Sequence, residues 1–307
     1  MAPENESTVA RIMSHVLTLI GNTSTELTQD HVDAVTRVLQ TAGSPEWLMP
    51  GHACDLPLSA EEPPAVEAAR SALNGATIDI VSQPLAHRRK KLLVADMDST
   101  IIEQECIDEL ADALGIRDAI SEITERAMRG ELDFEPALRE RVGLLKGLAE
   151  SELQRVYETQ ITETPGGRML CATMAAHGGT CALVSGGFTF FTERVAKSVG
   201  FTSNQANTLL VENGALTGEV SDPILGREAK VSALKSLTAD LKIDQLETMA
   251  VGDGANDLGM IGEAGLGVAF RAKPIVAAAA PAEINHGDLS ALLYIQGYRS
   301  DEIVNPA

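Results

Sequence analysis

The sequence predicts an α/β fold in which a Rossmann-like parallel sheet carries a helical cap and follows a small N-terminal α+β domain. Three continuously apolar runs each end in a polar residue, namely LLVAD at 92–96, CALVS at 181–185 and MAVGD at 249–253, and GLGVAF follows at 265–270. Such runs are typical of strands that are buried on both faces of a parallel sheet. Helical patterns separate them, as crossover connections require.

Residues 1–84 are predicted to form a separate α+β module with the order β-α-β-α-β. A strand begins at His15, and residues 28–30 offer capping groups for the helix that follows it. A second helix is expected at about 64–73, before a strand that begins at Thr77.

The second domain is predicted to span 85–307. The basic run HRRKK at 87–91 is interpreted as a solvated linker that leads into it. Residues 103–161 form a helical stretch that is too long for one crossover, so we expect it to cap the carboxyl edge of the sheet. An Asn-Gly pair at 213–214 predicts a tight hairpin.

The composition restricts the class of partner. The chain has 24 Lys and Arg against 44 Asp and Glu, a formal charge of −20. Nucleic acids and anionic membranes bind through Lys and Arg, so this acidity argues against both and favours a small-molecule substrate. Four cysteines lie far apart without a CxxC pair, and no apolar run is long enough for a signal peptide or a membrane helix. These features predict a cytoplasmic protein.

Acidic and polar residues follow three of the predicted strands. Ligands bind outside the carboxyl ends of parallel strands, where Asp96, Ser185 and Asp253 are placed. Asp98 and Asp257 follow closely in the chain. Carboxylates that converge on one crevice repel one another unless a cation compensates them. Oxygen ligands without His or Cys predict Mg²⁺.

Each of these residues also has an ordinary structural interpretation. Asp257 could cap a helix, Lys230 could be a surface lysine, and Ser185 with its two following glycines could form a simple turn. Only their joint order along the chain favours a catalytic site.

The ordered motifs resemble the haloacid dehalogenase superfamily of aspartate-based phosphotransferases. The resemblance runs from about Lys91 to the end of the chain, and its four motifs are DMDST (96–100), SGG (185–187), Lys230 and GDGAND (252–257). Within that superfamily, the cap segment 126–148 is similar to the phosphoserine phosphatase family. The N-terminal module is similar to ACT-like regulatory domains.

The resemblance implies a role for each motif residue. Asp96 would be the nucleophile that forms an aspartyl-phosphate, and Asp98 would be the general acid and base. Mg²⁺ would be held by the carboxylates of Asp96 and Asp253, the backbone carbonyl of Asp98 and, through water, Asp257. The transferring phosphoryl group would be held by Ser185, Gly186, Lys230 and Asn256.

Arg141 is unusual for a residue of an amphipathic helix. If 133–148 is helical, Arg141 lies in the middle of an apolar stripe, with no acid three or four residues away. It could snorkel to solvent, or it could bind a substrate carboxylate with its fork of donors. The resemblance implies that Glu105 meets the substrate ammonium and that Met128 and Phe134 close over it. Glu105 could instead complement a helix dipole.

The sequence therefore predicts a Mg²⁺-dependent phosphatase that converts O-phosphoserine and water into serine and phosphate during serine biosynthesis. One alternative is another phosphomonoesterase or a phosphosugar mutase of the same superfamily. A second is a non-catalytic phospho-aspartate receiver, which the cap and Asp98 argue against. The N-terminal module could be regulatory, purely structural or the site of homodimer formation, because no motif identifies a ligand for it.

Overall fold

The computed structural model describes residues 13–39, 41–59, 66–128 and 131–306. The strands are β1 (Met13–Ile20), β2 (Glu46–Met49), β3 (Ala53–Ser59), β4 (Asp79–Pro84), β5 (Leu92–Ala95), β6 (Thr180–Phe188), β7 (Ser203–Asn207), β8 (Leu209–Glu212), β9 (Ala215–Val220), β10 (Thr248–Gly252), β11 (Leu266–Phe270) and β12 (Ala282–Ile284). The helices are α1 (Gln29–Leu39), α2 (Val66–Ala72), α3 (Cys106–Leu114), α4 (Arg117–Met128), α5 (Phe134–Leu144), α6 (Glu150–Gln160), α7 (Gly167–Ala176), α8 (Thr189–Val199), α9 (Arg227–Leu241), α10 (Leu258–Glu263), α11 (Pro274–Ala277) and α12 (Ala291–Ile295).

The N-terminal domain is an antiparallel sheet of four strands in the order β2-β3-β1-β4. Alternate residues of β1 point to opposite faces, so Leu17 and Leu19 pack with the two helices while Ile20 packs with the second domain. The predicted β-α-β-α-β order is wrong in one respect, because 46–59 folds into two strands. Gly51, with a φ of +75°, lies in the turn between them.

The second domain contains the predicted parallel sheet. Its six strands have the order β12-β11-β10-β5-β6-β7, and each neighbouring pair is parallel. The four strands predicted from apolar runs occupy the four central positions. The two edge strands, β7 and β12, were not predicted because they are short and their sequences, SNQAN and AEI, lack an apolar run. Buried clusters lie on both faces of the sheet.

The predicted cap consists of helices α3 to α6. The chain enters it through 101–103 and leaves it through 162–164, and these two linkers pair as short antiparallel strands. The amide of Thr164 donates to the carbonyl of Ile101 at 2.9 Å, and the amide of Glu103 donates to that of Thr162 at 3.0 Å. We call these paired linkers the cap hinge.

Helix α5 ends at Leu144, so the predicted helix over 133–148 is four residues too long. The chain leaves the helix because 147–150 pairs with the β8–β9 hairpin. The amide of Gly147 donates to the carbonyl of Leu216 at 2.9 Å, and the amide of Leu216 donates to the carbonyl of Leu148 at 2.8 Å. The predicted Asn-Gly hairpin is confirmed, and it fastens the cap at a second point.

Across the described segments, no helix combines the length and the apolar character that crossing a bilayer would require.

The interpretation of 87–91 as a solvated linker is wrong for Arg88 and Lys90, whereas His87, Arg89 and Lys91 are exposed as predicted. The Arg88 guanidinium donates to both carboxylate oxygens of Asp55, at 2.6 and 2.8 Å, and to the carbonyls of Tyr294 and Ile295. Lys90 is also buried, and its ammonium donates to the carbonyl of Leu246. Arg88 thus joins the two domains, because its carboxylate partner and its carbonyl partners come from different domains.

We predict that Arg88→Ala destabilises the protein strongly, because the change leaves the buried Asp55 carboxylate without its cation. Breaking one partner of a buried pair costs about 3 to 5 kcal/mol. The matched control is Arg89→Ala, since the Arg89 side chain is 42% exposed where it pairs with Glu302. An exposed pair contributes about 1 kcal/mol or less. Urea unfolding of both variants measures the difference, and equal losses would contradict a buried interdomain pair.

Candidate active site

The site lies at the carboxyl edge of the parallel sheet, as predicted from the strand ends. Asp96 follows β5, Ser185 lies near the end of β6, and Asp253 follows β10. The amide of Asp96 donates to the carbonyl of Val251 at 3.0 Å, which aligns β5 with β10 at this edge. All three side chains are buried.

Lys230 links two of the carboxylates. It lies in the first turns of α9, and its ammonium is 2.6 Å from an oxygen of Asp96 and 2.6 Å from an oxygen of Asp257. Burial alone would lower the pKa of Lys230, but the two carboxylates outweigh it and raise that pKa above its ordinary value. Lys230 is therefore a permanent cation, and the interpretation of this residue as a surface lysine is excluded.

Asp96, Asp253 and Asp257 form a compact group of oxygen ligands. Carboxylate oxygens of the three residues lie within 4.8 Å of one another. Burial, followed by repulsion from Asp96, raises the pKa of Asp253 to about 6 and that of Asp257 to about 7. A cluster of carboxylates with raised pKa values and no nitrogen or sulfur ligand fits a hard divalent cation.

Gly252 allows this group to be compact. A Cβ atom at Gly252 would collide with the carboxyl group of Asp257. That carboxylate accepts the amide of Gly254 at 3.0 Å on one oxygen and the Lys230 ammonium on the other. Both oxygens of Asp257 are thus engaged by the protein, which fits its predicted contribution to a metal through water.

Asp98 lies two residues after Asp96 but belongs to a different hydrogen-bond group. Its carboxylate accepts the amide of Cys106 at 3.0 Å and the hydroxyl of Ser185 at 3.4 Å. Burial, then Glu105 and Asp96, raise the pKa of Asp98 to about 8. A carboxyl group with this pKa carries a proton at neutral pH, as a general acid must.

Phe134, the first residue of α5, is in contact with the backbone of the core domain. A Cβ atom at Gly186 would lie 3.1 Å from its ring, and one at Gly226 would lie 3.0 Å from it. The side-chain amide of Asn207 donates to the carbonyls of Gly186 and Leu225, at 2.8 and 3.2 Å. Asn207 therefore fixes the backbone at Gly186 and just before Gly226. The ring of Phe134, on the cap, packs against these two glycines.

Arg141 lies on the cap, near the carboxylates of Glu105, Asp108 and Asp98. Its guanidinium donates to the Ala137 carbonyl and the Thr124 hydroxyl, and no ion pair within the described ranges includes it. Burial lowers the pKa of Arg141, while Glu105, Asp108 and Asp98 oppose that shift. Snorkelling to solvent therefore does not describe this side chain.

Glu105 precedes α3 and is exposed to the cleft. Its carboxylate accepts the hydroxyl of Ser99 at 2.8 Å, and Ser99 holds a left-handed φ of 55° within the DMDST motif. The Glu105 side chain does not cap α3. Glu105 is thus fixed by the nucleophile motif and not only by its position near a helix start.

The structure brings most of the predicted site residues to one cleft. Asn256 lies in the turn after Asp253, where its side chain would contact a Cβ atom at Gly254. The side chain of Met128 lies outside the described residues. The individual roles in binding and metal coordination stay predictions.

The sequence analysis did not identify Lys273, Asp108 or Asn207. Lys273 follows β11, and its ammonium is 3.9 Å from the Asp253 carboxylate. Asp108 and Asn207 lie on the cap and at the end of β7. Lys273 could have been found, because it lies at the same sheet edge as the predicted acids.

Comparison with known proteins identifies the family. The model of the haloacid dehalogenase-like hydrolases matches residues 93–261. A phosphoserine phosphatase from Streptomyces coelicolor is 42% identical over 236 residues, which are 77% of this chain and 57% of that relative's length.

Two solved structures share the fold over much of this chain and over most of their own length. A probable phosphoserine phosphatase from Vibrio cholerae, in its unliganded form, has a TM-score of 0.77 at 32% identity, with 95% of this chain and 89% of that one covered. A phospho-aspartyl intermediate analogue of phosphoserine phosphatase has a TM-score of 0.63 at 38% identity, with 67% of this chain and 98% of that one covered. This chain belongs to the haloacid dehalogenase-like hydrolase family.

Proposed function

We propose that the protein is a phosphoserine phosphatase that hydrolyses O-phosphoserine to serine and phosphate through a phospho-Asp96 intermediate. The observation that carries this proposal is Arg141, a partly buried guanidinium on the cap that faces Glu105 and Asp98 across the cleft. A carboxylate and an ammonium on one small substrate match this arginine and glutamate. The names of the similar proteins support the same substrate.

The hydrogen bonds of Asp96 support one of its two oxygens as the attacking atom. Its Oδ1 atom accepts the amide of Met97 at 2.8 Å and lies 2.6 Å from the Lys230 ammonium. The Oδ2 atom is the oxygen that remains for attack on phosphorus. As the phosphorus–oxygen bond to serine breaks, the protonated Asp98 gives its proton to the serine oxygen. Asp98 then takes a proton from the water that releases phosphate from Asp96.

We propose Mg²⁺ as the cofactor. Asp96 and Asp253 would hold it with their carboxylates and Asp98 with its backbone carbonyl, while Asp257 would act through water. A bound divalent cation would offset the charge of the phosphoryl group, which Ser185, Gly186, Lys230 and Asn256 hold on its other sides.

The proposal includes the organisation of the chain and its location. The N-terminal domain would span 1–84 and resemble ACT-like modules, and 85–307 would form the phosphatase domain with its cap at about 103–161.

The four cysteines are free and buried, which supports a cytoplasmic enzyme. The substrate would be a small molecule, and a homodimer would require a surface of the N-terminal domain that is free of the catalytic domain.

A phosphosugar phosphatase or mutase is the second candidate, because its core chemistry is the same. A sugar phosphate carries neither an ammonium nor a carboxylate for Glu105 and Arg141 to bind. Phosphate release from phosphoserine, phosphothreonine and sugar phosphates distinguishes the two functions.

We predict that Asp96→Asn abolishes turnover, because a neutral amide lacks the nucleophilic oxygen. The fold should persist, since the amide oxygen can still accept the amide of Met97. Phosphate release measures the activity, and circular dichroism confirms that the variant is folded. Substantial activity in a folded Asp96→Asn variant would remove Asp96 as the nucleophile.

We predict that Arg141→Ala lowers kcat/KM for phosphoserine much more than for an aryl phosphate. Loss of one partner of a desolvated charge pair costs about 2 to 5 kcal/mol. An aryl phosphate has no carboxylate, so its hydrolysis depends on the core groups that remain. The matched control is Arg139→Ala on the same helix, whose exposed guanidinium pairs with Glu135 and Asp222. Equal losses for both substrates would assign Arg141 a structural role.

We predict that Asp253→Asn weakens Mg²⁺ binding at least about tenfold. Mutation of a residue that only orients a metal ligand already lowers the metal affinity by about that factor, and Asp253 is proposed to bind the metal directly. Isothermal titration of the substrate-free protein with Mg²⁺ measures the affinity. Asp301→Asn removes the same charge from an exposed position near the end of the chain and serves as the control. Identical affinities in the two variants would exclude Asp253 as a ligand.

A further inference from the structure

Asp79 is a buried carboxylate at the interface between the domains. It is the first residue of β4, and it is only 4% exposed. Its two oxygens accept three consecutive backbone amides of the catalytic domain, from Asn285 at 2.8 Å, His286 at 3.1 Å and Gly287 at 2.7 Å. No ion pair among the described residues includes Asp79. These backbone donors therefore fix the carboxylate, and the carboxylate in turn fixes the loop 285–287.

The chain that follows this loop packs against the end of the cap hinge. The amide of Leu289 donates to the carbonyl of Pro165 at 3.0 Å. Gly166 has a φ of +84°, and a Cβ atom there would collide with the amide of Ser290 and lie 2.8 Å from the Asp288 carboxylate. The two segments are in such close contact that a shift of 288–290 must displace 165–166.

Residues 165–166 continue directly from the linker by which the chain leaves the cap. That linker, 162–164, pairs with 101–103, which continues from the motif that holds Asp96 and Asp98. Glu105 is held by Ser99 of the DMDST motif, whereas Arg141 lies farther along the cap, which this hinge attaches to the core. The distance of Arg141 from Asp96 therefore depends on where the hinge lies.

We propose that the N-terminal domain braces the cap hinge, and that Asp79 is the positioning residue through which it does so. Asp79 holds 285–287, this loop fixes 288–290, and those residues fix the base of the hinge at 165–166. The brace sets the position of Arg141 on the cap relative to Asp96. This inference rests on the proposed function for its substrate, whereas the hinge contacts are independent of the substrate.

The test compares Asp79→Asn with Asp55→Asn. An asparagine at 79 has one acceptor oxygen and an amino group that opposes the backbone amides, so it cannot hold all three donors. Asp55→Asn weakens the same interface through Arg88 but does not touch 285–287. Gly287→Ala is a second, milder variant, because its Cβ atom would lie 3.1 Å from the Asp79 carboxylate.

Two measurements are made on the full-length variants. The first is kcat/KM for phosphoserine and for p-nitrophenyl phosphate, which has no group for the cap to bind. The second is amide hydrogen exchange at 162–166 and 285–290. We expect Asp79→Asn to lower kcat/KM for phosphoserine about tenfold relative to p-nitrophenyl phosphate. We also expect faster exchange in both segments, with neither effect in Asp55→Asn.

The inference is overturned if Asp79→Asn affects both substrates equally, if exchange changes at 285–290 but not at 162–166, or if Asp55→Asn has the same effects. If Asp79→Asn does not fold, Gly287→Ala decides by the same criteria. If the wild-type protein does not hydrolyse phosphoserine, the proposed function fails, and exchange at the hinge alone supports or overturns the brace.

Discussion

The whole site depends on burying several carboxylates at one edge of a parallel sheet without unfolding that edge. Lys230 solves part of this problem because its ammonium lies 2.6 Å from both Asp96 and Asp257. One cation cannot neutralise the group, and burial together with the remaining repulsion from Asp96 raises the pKa values of Asp253 and Asp257. The same imbalance makes the crevice suited to a divalent cation. Burial, followed by repulsion from Glu105 and Asp96, raises the pKa of Asp98 and keeps it protonated as an acid.

The core and the cap contribute different groups to the site. The core supplies the groups that would act on any phosphate, whereas Arg141 and Glu105 are the groups proposed to recognise the rest of the substrate. The cap is attached at its hinge and again where Leu216 of the β8–β9 hairpin pairs with 147–148. Between these points, the ring of Phe134 rests on two glycine positions. The attachments restrict how the cap can move, so its position relative to the nucleophile becomes a property of the fold.

The N-terminal domain is integrated with the catalytic domain through buried polar contacts. Asp55 meets a cation from the following segment, while Asp79 meets backbone amides. Apolar residues such as Ile20 and Val81 extend the interface by packing into the core of the catalytic domain. Charged groups buried in this way require well-defined geometry, since an unpaired partner is costly. The interface therefore favours one relative position of the two domains, which is what a brace for the cap hinge needs.

The sequence by itself determined the central strands, the cap and the positions of the catalytic acids. Continuous apolar runs identify buried parallel strands, and residues that follow those strands must meet at one edge. Features without a local pattern depended on the tertiary structure. The edge strands lack an apolar run, and the basic run at 87–91 looks solvated until Asp55 and the carbonyl groups near Ile295 are placed beside it. The environments of Arg141 and Asp79 are likewise set by residues distant in the chain, because burial and hydrogen-bond partners arise only when the domains pack together.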